Sequence, residues 1–208
     1  MQLPRMELKD FNFNTIINLL GIWDKPILSN SNINEYVIYG IKFGLIKEYQ
    51  ADLTVSFEWD GRVETFSKDM AKYILEKHYW NKIKGSQLLA IHRLLADRMM
   101  DFAFNTSVET AIRSLCLVCN VLSSDGEHWD IIPIKEEMDF ELITTLQSIF
   151  RVKGNSAINV IIATLFSIQE RVIIDYKTIG PYTKDVYEAC ENIFFKQTWY
   201  AGIILAIG

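Results

Sequence analysis

The chain has little of what most enzyme chemistries need. It carries three histidines and three cysteines in 208 residues. His78, His92 and His128 fall on separate expected elements, so no cluster with metal-ligand spacing forms among them. There is no glycine-rich phosphate loop, no HExxH and no G-x-S-x-G, which removes the commonest nucleotide, zinc-protease and serine-hydrolase signatures. No metal or other cofactor is expected. Nor is there a basic surplus: the net charge is −5, which gives no electrostatic footprint for a nucleic-acid partner and none for attraction to an anionic cell wall. Met1-Gln2-Leu3-Pro4-Arg5-Met6-Glu7 lacks the apolar core of a signal peptide. No run reaches the ~20 apolar residues of a membrane span, and the apolar tail Trp199–Gly208 is too short. The expectation is a protein made in the cytoplasm with no transmembrane segment. Cys116 and Cys119 share one expected helix and Cys190 is remote, a pattern of small core residues in a reducing compartment.

What is present is apolar and helical. Half the residues are hydrophobic, enough for one sizeable core. Residues 10–21 place Phe11, Phe13, Ile16, Ile17, Leu19 and Leu20 on a broad apolar face ending at Gly21. A polar loop follows through Glu35. Tyr36–Tyr39 is a short apolar piece broken by Gly40, and 41–49 suits a short helix. Leu53–Trp59 alternates in the strand manner, Asp60-Gly61 is a hairpin signal, and Arg62–Phe66 suits the return strand. From Ser67, a candidate cap, the chain reads as helix to about Tyr79. A helix is expected over 87–105, and Thr106-Ser107-Val108-Glu109 reads as a capping box opening another helix to about Leu122. After the turn-rich 123–128 stretch, Asp139 can cap a helix to about Arg151. Gly154-Asn155 separates it from a run over 157–177, and Thr183 opens the last helix.

One polar pair stands out in this apolar pattern. Asp101 and Asn105 lie one helical turn apart, on the same side of the expected 87–105 helix. Short polar side chains compete for the backbone, so both are poor helix-interior residues. Either they hydrogen-bond as a pair tying this helix to a neighbour, or they line a cleft. The remaining candidates are Asp24 and Glu35, in the polar loop beside Trp23, Tyr36 and Tyr39. A carboxyl group held against those rings would have its pKa raised by desolvation, as a general acid requires.

Taken in order, several pieces resemble glycoside hydrolase family 108, the N-acetylmuramidase-like group also known as secretion-activator proteins. Tyr39-Gly40-Ile41 resembles the family's Tyr-Gly-Ile, and Tyr79-Trp80-Asn81 its Tyr-Trp-Asp. Met100-Asp101-Phe102-Ala103-Phe104-Asn105-Thr106-Ser107 resembles its Phe-Asp-Phe-Ala-Val-Asn-Ser-Gly. Ala111-Ile112-Arg113-Ser114-Leu115-Cys116 resembles Ala-Ile-Lys-x-Leu-Gln, Asp125-Gly126 its Asp-Gly turn, and Phe195 to Trp199 its terminal Phe-x-x-x-Trp. The resemblance implies a mainly α fold: a lysozyme-like helical domain over 1–153 with a small β-hairpin, then long C-terminal helices over 154–208, a peptidoglycan-binding-type segment in the family.

The departures fall on the catalytic apparatus. The family's acid stands in Glu-Gly-Gly-Tyr; counting back from Tyr39 puts that Glu at Trp23, and Asp24 is one place off. Trp has no proton to transfer, Asp is a methylene shorter than Glu, and a misplacement of about 1 Å costs on the order of a hundredfold. The resemblance therefore implies a catalytically degenerate muramidase fold, a structural or cell-wall-recognition module of a phage particle or envelope machine. Its partners would be peptidoglycan or proteins of that assembly. Two alternatives stand beside it: an active peptidoglycan N-acetylmuramidase using Asp24 or Glu35 as displaced acid, and an assembly protein with no glycan affinity. By the same resemblance Trp23, Tyr39, Asp101 and Asn105 line the cleft.

Overall fold

The computed structural model describes Phe13, residues 37–123 and residues 130–179, with side chains described to Val172. The mainly α architecture with a small antiparallel sheet and a long C-terminal helix is the fold class expected from the sequence. The chain divides into two compact units, Met1–Asn81 and Lys82–Gly208.

In the first unit, β1 (Val37–Ile38) pairs antiparallel with β2 (Ile41–Lys42). The turn between them is Tyr39-Gly40, with φ of 50° and 75°. Positive φ at both central residues is the twist a two-residue hairpin needs. The small hairpin is thus real but lies about twenty residues before the one expected at Asp60-Gly61. There the chain is helical: α1 (Phe43–Glu48) and α2 (Gln50–Phe57) follow directly. Leu53 is fully buried and Val55 is 86% exposed, so the alternating residues do not share a sheet face. Glu58, at φ 55°, ends α2 in a left-handed cap. Asp60 then closes a local turn. Its carboxylate accepts from the backbone N–H of Arg62 (3.1 Å), the Arg62 guanidinium (2.6 Å) and the Thr65 hydroxyl. These bonds, the Thr65 hydroxyl foremost, hold its pKa down to about 2. Asp-Gly chemistry made a turn here, but one that joins a helix to the short 3₁₀ turn Val63–Thr65.

Helix α3 (Lys68–Ile74) begins as expected, with Ser67 Oγ accepting from Met70 N at 3.3 Å. It runs on as a π-helical turn, Leu75–Trp80, closed by Asn81 N–H donating to Glu76 O at 2.8 Å. Trp80 is buried against Phe13, with ring centroids 5.6 Å apart.

In the second unit the regular elements among the described residues are all helices. The stretch expected as one helix over 87–105 is two, α4 (Gly85–Ile91) and α5 (Arg93–Asn105), parted at His92, which is extended at φ −160°, ψ 128°. No breaker residue marks the joint. Splitting there lets both pieces bury Leu88, Ile91, Leu95 and Met99, so packing overrides propensity. Helix α6 (Val108–Leu122) is capped by Ser107, whose Oγ accepts from Thr110 N at 3.1 Å. The expected cap was Thr106, whose hydroxyl instead donates back to Phe102 O (2.8 Å), inside the preceding helix's last turn. Cys116 and Cys119 lie in the core of α6.

Helix α7 spans Phe140–Ile179. Asp139 caps it as expected, accepting from Leu142 N at 2.9 Å. Gly154 breaks it with φ 68° and ψ −158°, a conformation open essentially to glycine alone. Over Phe140–Val172 it is long and apolar enough, by length and composition, to cross a membrane, which the sequence reading did not anticipate. Leu142, Leu146, Ile149, Ile158, Ile161, Leu165 and Ile168 are nonetheless buried, and the helix packs on α4, α5 and α6. Each half thus buries its own stripe, Leu142, Leu146 and Ile149 before the break and Ile158, Ile161, Leu165 and Ile168 after it, the pattern of a core helix.

Candidate functional site

The polar pair on α5 sits at the centre of a hydrogen-bonded network. Asn105 Nδ2 donates to Asp101 Oδ1 at 2.8 Å and to the Asp101 carbonyl at 2.9 Å. The other carboxylate oxygen of Asp101 meets Arg98 Nη2 at 2.9 Å and accepts from Gln169 Nε2 at 3.0 Å. Arg98 Nη1 closes the ring by donating to Gln169 Oε1 at 2.9 Å. Its guanidinium lies 4.9 Å from the centre of the Phe166 ring. Arg98 and Asp101 are one turn apart on α5, whereas Gln169 comes from α7, 68 residues beyond Asp101. The network therefore ties two helices together.

Burial gives it weight. Gln169 is 4% exposed, so its amide has no recourse to water. The side chains of Arg98 and Asp101 are 19% and 22% exposed. Both oxygens of Asp101 are committed to protein donors, the geometry of a structural clasp.

A neighbouring carboxylate escaped the sequence reading. Asp97, one turn before Asp101 on α5, has its pKa raised, chiefly by desolvation and then by the Asp101 charge. Among the described residues it is the carboxyl group pushed towards the protonated form. Its signal in the sequence is the Asp97–Asp101 spacing, two like charges at i,i+4 on an apolar helix. A carboxyl group raised by burial beside a second carboxylate is a candidate general acid.

His92 lies at the α4–α5 joint with its Nδ1 buried and unpaired and its ring 6.4 Å from Phe150. Burial, then the Arg93 charge, lowers its pKa. In the first unit, Tyr39 sits in the hairpin turn with its ring 6.3 Å from that of Phe66. His78, on the π-helical turn, pairs its Nδ1 with the Tyr49 hydroxyl at 3.3 Å.

The structure thus brings Asp101 and Asn105 together and places Tyr39 in the other unit. Trp23, Asp24 and Glu35 lie outside the described residues, as do His128 and Cys190. Among the described residues, no three His, Cys, Asp or Glu side chains are grouped to hold a metal ion.

No protein-family model matches the chain, and no curated protein matches it. Among solved structures it is similar to that of Brucella abortus SagA, with a TM-score of 0.56 and 13% sequence identity, covering 90% of this chain and 94% of that one. At that identity the likeness is one of fold: over nearly its whole length the chain shares the architecture of SagA.

Proposed function

We propose that the chain is a catalytically degenerate muramidase-fold protein, a structural or cell-wall-recognition module of a phage particle or envelope machine. The observation that carries this reading is the commitment of Asp101. In the helix that most resembles the family, the carboxylate is bound on both oxygens by Arg98, Gln169 and Asn105. A group so held is poorly placed to move protons or attack a sugar. The missing Glu-Gly-Gly motif around Trp23 and the shared fold with SagA support the same reading. In it, residues 154–208 are the part that contacts the wall or the assembly. Co-sedimentation with purified insoluble peptidoglycan tests recognition. Saturable pelleting is expected, and a protein that stays in the supernatant at every polymer concentration is an assembly component with no glycan affinity.

The raised pKa of Asp97 favours a second reading, an active N-acetylmuramidase. Its acid would be Asp97, or Asp24 or Glu35 from the loop, acting on the β-1,4 link between N-acetylmuramic acid and N-acetylglucosamine. Lysis abolished by changing one of these carboxylates to its amide would establish it.

A further inference from the structure

The connection between α6 and α7 carries a feature that the Asp101 network does not use. Residues 130–141 hold five carboxylates against the single cation of Lys135, a net charge of −4 in a chain whose total is −5. The same short stretch holds three of the seven large hydrophobic side chains left exposed among the described residues. These are Ile131 at 51%, Ile134 at 39% and Phe140 at 83%. Apolar surface left open and rimmed by charge is the mark of an interaction site.

The two properties meet at an open groove of about 470 Å³. Asp130 and Ile132 line one side of it, and the first turns of α7, from Phe140 to Ser148, line the other. Neighbouring cations cancel only part of the charge. Lys135 Nζ is shared between Asp139 at 2.5 Å and Glu141 at 2.6 Å, and Arg113 of α6 pairs with Glu136 at 2.7 Å. Two cations against five carboxylates leave a surplus of three negative charges on this face.

The surface is also held in place. Asn120 clamps Ile132 through two bonds, Nδ2 to Ile132 O at 2.8 Å and Ile132 N to Oδ1 at 3.0 Å. Ile132 and Met138 are buried and anchor the connection to the core. Asp139 caps the helix that forms the other wall. A surface already ordered gives up little conformational freedom when a partner lands on it.

Charge and apolar exposure together select the occupant. The negative surplus repels a nucleic-acid backbone, an anionic lipid surface and the same face of a second copy. A cation carried on an apolar stem meets every feature of the groove. A guanidinium can lie over the open Phe140 ring and pair with Asp130 and Glu141, while apolar neighbours cover Ile131 and Ile134.

We propose that this groove docks an arginine-bearing, otherwise apolar segment of a protein partner, with one guanidinium on Phe140 and flanking apolar side chains on Ile131 and Ile134. The surface is separate from residues 154–208, and the proposal does not rest on the wall-recognition reading. Amide chemical-shift titration of the full chain tests it, with the end-capped peptide Leu-Arg-Leu-Arg-Leu as probe. Leu-Glu-Leu-Glu-Leu and spermine are the controls. Saturable shifts centred on residues 130–148 are expected with the arginine peptide and none with the glutamate peptide. Raising the ionic strength from about 0.01 M to about 0.15 M shortens the screening length from about 30 Å to about 8 Å and should weaken binding several-fold. Phe140→Ala should weaken it roughly three- to tenfold, the loss of one cation–π and apolar contact, and Asp130→Asn roughly threefold. Absence of saturable shifts with the arginine peptide, equal binding of the glutamate peptide, or affinity unchanged in both variants overturns the proposal. Spermine binding as tightly as the arginine peptide, in wild type and Phe140→Ala alike, would be diffuse attraction of cations and overturns it too.

Discussion

Asp101 and Gln169 lie 68 residues apart and share one hydrogen bond and one arginine. If their network holds α5 to α7, the two residues must be thermodynamically coupled. Asp101→Ala removes the ion pair to Arg98 and the bonds from Gln169 and Asn105, and it leaves the Gln169 amide N–H without an acceptor in a site 4% exposed. An unsatisfied buried donor costs roughly 1–3 kcal/mol, and the lost charge-assisted bond brings the total to roughly 2–4 kcal/mol. Gln169→Ala removes two bonds and buried volume but leaves Arg98 and Asp101 paired, for roughly 2–3 kcal/mol. The double variant should be less destabilised than the sum by about 1 kcal/mol, because the orphaned donor created by the first change is gone. Urea denaturation of the four proteins, followed by circular dichroism, gives the cycle. Raising the salt concentration should alter the coupling little, since the pair is largely shielded from solvent. Additivity within about 0.3 kcal/mol would refute the reasoning, since that is how independent sites behave.

Two further outcomes follow from single positions. Gly154→Ala leaves the surroundings untouched, because a Cβ there meets nothing within 4 Å, so its cost is purely one of backbone conformation. Thermal denaturation should show a loss of about 1–3 kcal/mol for forcing alanine into that φ/ψ region; an unchanged midpoint would mean the kink is not required. His92 has a folded pKa below its unfolded value of about 6.5, so the unfolded chain takes up a proton first as pH falls. Its contribution to stability is complete above that value and is lost as pH drops through the folded pKa. The urea midpoint of wild type should therefore fall more between pH 8 and pH 5 than that of His92→Gln, and parallel pH curves would exclude the effect.

Local chemistry was legible in the sequence wherever a side chain acts on its own backbone. Ser67 and Asp139 cap helices, and Gly154 interrupts one, because each needs only its near neighbours. The Asp60-Gly61 turn was also legible as a turn, but not what it joins. Leu53 and Phe57 satisfy both strand alternation and a helical i,i+4 step, and only burial decides between them. The break at His92 carries no signal, since it follows from how α4 and α5 pack. Asp101 and Asn105 were readable as a bonded pair, and Arg98 sits one turn before Asp101. Gln169 was not readable, because nothing local links residue 169 to residue 101. Asp97 was passed over since its perturbation comes from burial, which the spacing of charges alone does not disclose.

The claim that the fold is kept while catalysis is lost is tested most directly by turbidity of a purified peptidoglycan suspension, together with release of reducing ends. The account predicts no clearing by the wild-type chain beyond that of the triple variant Asp24→Asn, Glu35→Gln, Asp97→Asn. Clearing by wild type that any one of these changes abolishes would contradict it, and would make the chain a working muramidase.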